Sequence, residues 1–93
     1  MTGRTKSRKE TRARKKHIPM FKVILHNDDV NSFDHVIVSL MEIFKFDTEK
    51  AVTVTLEAHK TGTSLVKIEP YEHAELHRDQ LQSASLTATI EPA

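Results

Sequence analysis

The sequence predicts a small α+β domain, three short strands and three helices in the order β-α-α-β-α-β, with the helices on one face of a small sheet. Three observations carry this. Apolar residues alternate in Phe21–Leu25, Thr63–Glu69 and Leu86–Ile90, the period of a half-buried strand. Phe33, Val36, Ile37, Leu40, Met41 and Phe44 recur at helical spacing. Ninety-three residues leave room for one domain, near the lower limit of what builds its own core.

The first strand, Met20 to Leu25, sets Phe21, Val23 and Leu25 on one face and Ile24 on the other. His17-Ile18-Pro19 precedes it, and the proline forces an extended approach. Asn31 or Ser32 is a natural cap for the first helix, with Asp34 where the helix dipole favours an acid. Asp47 caps a second helix. Its stretch Ala51-Val52-Thr53-Val54-Thr55-Leu56 mimics a strand through β-branching. The frame from Asp47 to a stop at Gly62 spans about 14 residues, long for a strand, so it reads as helix. Thr63 to Glu69 forms the second strand. Pro70 suits the first turn of a third helix that carries Glu72 and Glu75 and ends near Ser83. Leu86 to Ile90 closes the sheet, and there is no internal repeat.

Charge is divided unevenly. Residues 1–16 carry eight basic side chains and one acid, whereas residues 17–93 carry six basic and twelve acidic ones. Residues 1–17 are expected to be a disordered basic extension, since they lack the apolar surface to order themselves, and residues 18–93 the folded domain. No cysteine is present, which excludes disulfides, thiolate metal sites and a cysteine nucleophile. No apolar run approaches the roughly 20 residues of a membrane span, and the basic start lacks the apolar stretch of a secretory signal. An intracellular soluble protein without a membrane partner is expected.

The stretch from His26 to Val36 concentrates hydrogen-bonding side chains, Asn27, Asp28 and Asp29 above all, at a strand-to-helix corner. Taken alone, such a triplet is more often a turn or cap than a binding site. His59, near the end of the second helix, either favours the helix dipole or joins that corner as a binding group. His73 and His77 are spaced i, i+4, but the segment lacks the H-E-x-x-H base and no metal is expected. Gly3 and Gly62 are the only glycines, so no phosphate loop exists and no cofactor is implied.

Together, Phe21-Lys22-Val23-Ile24-Leu25-His26-Asn27-Asp28-Asp29, Leu40-Met41-Glu42-Ile43-Phe44 and Glu57-Ala58-His59-Lys60-Thr61-Gly62 resemble the ClpS family over about residues 20–91. These are adaptors, not enzymes, that deliver N-degron substrates to the Clp AAA+ unfoldase–protease. The resemblance implies three antiparallel strands with three helices. It also implies a clamp for a free α-amino group at Asn27, Asp28 and His59, beside a pocket for a large hydrophobic first residue: Phe, Tyr, Trp or Leu. Pocket positions map to Val30, Asn31, Phe33, Val36, Thr55, Ala58 and Leu86. Several depart from the common pattern. Val30-Asn31-Ser32-Phe33 stands where an aromatic, Thr, Pro and Met are frequent, Thr55 where a second methionine is common, and Ala58 where valine is. Helical spacing alone would put Phe33 in the core. Glu72, Glu75 and His77 match positions that dock on the N-terminal domain of a ClpA- or ClpC-type unfoldase, with histidine replacing a lysine. A monomer acting in the bacterial cytoplasm, rather than the plastid stroma, is implied.

Two other classes compete. The basic residues 1–16 could neutralise several phosphates, which would make a nucleic-acid- or ribosome-associated protein, though without aromatics for specific base recognition. A hydrolase using His59 and Asp28 lacks an evident nucleophile or oxyanion element.

Overall fold

The structure, a computed structural model, describes residues 18–93; the expected extension over 1–17 lies outside the described residues. The elements are β1 (Met20–His26), α1 (Phe33–Phe44), α2 (Thr48–Thr61), β2 (Thr63–Pro70), α3 (Tyr71–Ser83) and β3 (Thr87–Pro92), in the expected order. β1 lies at the centre of the sheet, antiparallel to β2 on one side and to β3 on the other. Beyond the last β3 pair, the Ala93 N–H donates to the Met20 carbonyl at 2.9 Å, which extends the pairing to the start of β1.

Caps fix the helix starts. Ser32 accepts from the His35 N–H at 3.1 Å and Asp47 from the Lys50 N–H at 2.8 Å. The β-branched stretch of α2 is helical because Ala51, Val54, Thr55 and Ala58 form one buried face, and that packing outweighs local propensity. Pro70 closes β2 and stands before the first turn of α3, not within it. α3 ends in a Schellman turn. The Leu86 N–H donates to the Leu81 carbonyl and the Ser85 N–H to Gln82, with Ser85 in the left-handed region at φ 70°.

The sheet buries one face. Val23, Leu25, Val66 and Ala88 join Leu40, Phe44, Val54, Ala74 and Leu81 in the core. Strict alternation along β2 would also bury Ile68, but β1 and β2 change register between Val23 and Ile24. Val66 is the extra residue, and a bulge of this kind reverses side-chain parity. Ile68 is therefore 45% exposed and Glu69 only 4%. Ser64, also buried, donates to Glu57 of α2 at 2.6 Å. The Glu69 carboxylate meets Nδ1 of His77 at 2.5 Å, and the His77 ring lies against Phe44 with centroids 4.4 Å apart.

Candidate functional site

The end of β1 and the end of α2 converge through Gly62. Its φ of 96° turns the chain sharply after α2, its N–H donates to Ala58, and its carbonyl accepts the Asn27 N–H at 2.9 Å. This pairing sets Asn27 beside the last turn of α2, which carries His59. The conformation is one that side chains disfavour, so glycine here serves the site's geometry.

A cavity of about 220 Å³ opens at this corner. Leu25, Val36, Ala58 and Leu86 supply apolar wall, all but Val36 being fully buried. Thr55 lines it too, its hydroxyl donating to the Ala51 carbonyl at 2.8 Å. Asn27, Asp28, Asp29, Asn31 and His59 bring polar groups to the same space. The clamp residues expected from the sequence are therefore together, as are six of the seven pocket positions.

Val30 is the exception. It is 90% exposed and does not line the cavity, because the loop turns it outward while its N–H donates to Asp28 at 3.0 Å. Phe33 departs from the core that helical spacing assigned to it. It is 43% exposed, lines the cavity, and stands edge-on to the His59 ring with centroids 5.0 Å apart.

Asp28 organises the loop. Its Oδ1 accepts the N–H groups of Val30 and Asn31, and both its oxygens accept from the Asn31 carboxamide. The Asn31 backbone N–H above all holds the Asp28 carboxyl below the usual carboxylate range against the opposing effect of burial, and the Asn31 side chain, the Val30 N–H and His35 add to the lowering. Asp29 lines the cavity with no hydrogen bond among the described residues, so its carboxylate is the one free to meet a cation. Sequence reasoning named Asp29 only as part of the triplet and left out His26, which lines the cavity while its Nε2 meets the Thr89 hydroxyl at 2.8 Å. Alternation along β1 sets His26 on the face opposite Leu25, with Thr89, so periodicity gives no signal for its place at the cavity.

On α3, Glu72 is exposed, and Glu75 is engaged by the Tyr71 hydroxyl at 3.3 Å and by Arg78 at 3.7 Å. His77 does not share their surface, since its ring is turned in to Glu69. Among the described residues no cluster of three or more His, Asp or Glu could hold a metal ion, and no helix is long and apolar enough to cross a membrane.

Comparison with known proteins gives one answer. A family model described as ATP-dependent Clp protease adaptor protein ClpS matches residues 16–89. The ATP-dependent Clp protease adapter protein ClpS of Synechococcus elongatus is 39% identical over 93 residues, covering 99% of this chain and 98% of its own. The chloroplastic CLPS1 of Chlamydomonas reinhardtii is 41% identical, over 83% of this chain and 48% of its own. Among solved structures, Agrobacterium tumefaciens ClpS2 bound to L-phenylalaninamide superposes with a TM-score of 0.71 at 27% identity, over 81% of this chain and 98% of that one. Fold, family match and near full-length relatives agree: the chain belongs to the ClpS family of ATP-dependent Clp protease adaptors.

Proposed function

We propose that this adaptor captures proteins by a free α-amino group on a large hydrophobic N-terminal residue and hands them to a ClpA- or ClpC-type unfoldase. The observation that carries the reading is a cavity with an apolar wall whose mouth gathers hydrogen-bond acceptors. An α-ammonium brings three donors and a positive charge. The Asn27 amide oxygen and a neutral His59 ring nitrogen are suitable acceptors, and Asp28 and Asp29 supply negative charge. A cavity of about 150 Å³ accepts a benzene ring, so 220 Å³ suits a Phe, Tyr or Leu side chain, Trp being the tightest. Burying such a side chain contributes about 1.5–3 kcal/mol. The Agrobacterium relative's ligand, a phenylalanine amide, has the two features this site is suited to.

Val36, Ala58 and Leu86 shape the pocket wall, Thr55 widens it where a longer side chain would fill it, and Phe33 bounds it beside His59. Glu72 and Glu75, on the outer side of α3, are the groups that would meet the N-terminal domain of the unfoldase, with His77 contributing from behind by fixing the helix. The adaptor would act as a monomer in the bacterial cytoplasm. Nucleic-acid binding rests on residues 1–16, outside the described residues, and the relatives do not favour it.

A peptide panel varying only the first residue tests the reading. Phe-, Tyr-, Leu- and Trp-initiated peptides should bind, and acetylating the α-amine should weaken binding about tenfold or more, since it removes the positive charge and two of the three donors that the rim acceptors would meet. Equal affinity for free and acetylated peptides would exclude the clamp.

A further inference from the structure

We propose that Asn31 is a positioning residue whose carboxamide clips the β1–α1 loop to the α3–β3 turn, so that the polar rim and the apolar wall of the cavity are held as one piece. This role rests on the binding reading above.

An amide NH₂ offers two hydrogens, and here both are spent. One side of the group meets the Asp28 carboxylate, at 3.1 Å from Oδ1 and 3.0 Å from Oδ2. The other meets the Ser85 carbonyl at 2.9 Å, across 54 residues of chain. The Asn31 backbone N–H also donates to Asp28 Oδ1 at 2.9 Å. Ser85 immediately precedes Leu86, a buried wall residue, while Asp28 stands between Asn27 and Asp29 at the mouth. A single side chain therefore joins the two halves of the site.

The rim needs such a tie. Asn27, Asp29 and Val30 are exposed and bring little packing of their own to hold the loop. A second tie runs parallel to the first: His35, in the first turn of α1, meets the Ala84 carbonyl through Nε2 at 2.7 Å. Two neighbouring carbonyls of one turn thus hold both the loop and the helix that follows it. Holding binding groups in place before the ligand arrives removes an ordering cost from association. Few residues could substitute. Aspartate would set a second carboxylate against Asp28, and threonine has one hydrogen to share between two acceptors.

The test compares wild type with Asn31→Ala, Asn31→Thr and His35→Ala. Fluorescence anisotropy reads the affinity for a Phe-initiated peptide. Carboxyl-carbon NMR reads the titration of Asp28 without ligand, and far-UV circular dichroism checks folding. Asn31→Ala should bind about tenfold more weakly, with the Asp28 titration moved up only in part, because the Asn31 backbone N–H that lowers it most is retained. Asn31→Thr should fall between it and wild type. His35→Ala should weaken binding less and leave the Asp28 titration nearer to wild type than Asn31→Ala does. Asn31→Ala that binds within twofold of wild type, or leaves the Asp28 titration in place, overturns the proposal. Should Asn31→Ala fail to fold, wild-type affinity in Asn31→Thr overturns it instead. A wild type that binds no free-amine peptide sinks the functional reading itself, a result distinct from loss of the clip alone.

Discussion

Replacing His77 by alanine strips the Glu69 carboxylate of its hydrogen-bond donor where water can take over only in part. Glu69 is 4% exposed, and its other charged neighbour, the Lys67 ammonium, is 3.9 Å away, too far for a hydrogen bond. Losing a hydrogen bond to a charged group costs about 1.5–3 kcal/mol, and losing the ring contact with Phe44 about 0.5–1.5 kcal/mol more. The His77 side chain is 19% exposed, so partial rehydration trims the total. The expected loss is about 2–3 kcal/mol, a large share of the roughly 5–15 kcal/mol that holds a domain together. It corresponds to a melting temperature lower by about 8–24 °C for a domain of this size. Urea unfolding followed by far-UV circular dichroism at pH 7 measures it. The double variant Glu69→Met/His77→Leu should recover much of the loss, because removing both polar partners leaves neither unsatisfied. A loss in His77→Ala below about 0.5 kcal/mol, the usual range for surface changes, would refute the reasoning and leave His77 as a surface contact. Strict additivity of the single variants would refute it too.

Three further outcomes follow from the backbone and the loop. Gly62→Ala should cost about 1–2 kcal/mol in urea unfolding through its left-handed conformation alone, since a Cβ there meets nothing within 4 Å. On the proposed reading, the same change should also weaken peptide binding, because the Asn27–Gly62 pairing positions the proposed clamp. Ser85→Gly relieves a left-handed residue of similar cost against the entropy glycine adds to the unfolded chain, and should raise stability by up to about 1 kcal/mol. Asp28 sets an acid limb. Its folded pKa lies below the unfolded value, so its contribution is complete above about pH 4 and disappears as pH falls through the lower folded value. Asp28→Asn should flatten urea midpoints between about pH 5 and pH 2 relative to wild type.

Much of this fold is legible locally. The stripe from Phe33 to Phe44 marks α1 because one apolar face is a property of a single segment. α2 was readable from its ends, Asp47 and Gly62, although Val52 to Thr55 argue for a strand. The site was readable as far as residue types and a family likeness carry: Asn27 and His59 are in the sequence, and Gly62 hints at the turn that unites them. What stayed hidden depends on partners distant in the chain. The bulge at Val66 arises only when β2 pairs with β1, and with it the burial of Glu69 in place of Ile68. Phe33 has core spacing, yet it starts α1 where the cavity opens, so its ring borders solvent and His59. His77 looks like a surface residue until Glu69 is found facing it. Asn31 reads as pocket lining, and nothing near it in sequence betrays the carbonyl of Ser85.

The central place of β1 bears on how the domain is made. Among the described residues β1 is the first element in chain order, and one of its two partners, β3, is the last. Until β2 emerges the Val23 and Leu25 strand has no neighbour, and from then until β3 follows it has one on one edge only. Its other edge stays open to pairing with foreign strands, the usual hazard of an unprotected sheet. Closing it requires Phe21 to find Pro92, a long-range contact of the sort that slows folding. A ribosome that stalls or terminates just before Thr87 would thus release a chain with all three helices and an unfinished sheet, fit for degradation rather than for delivering substrates to it.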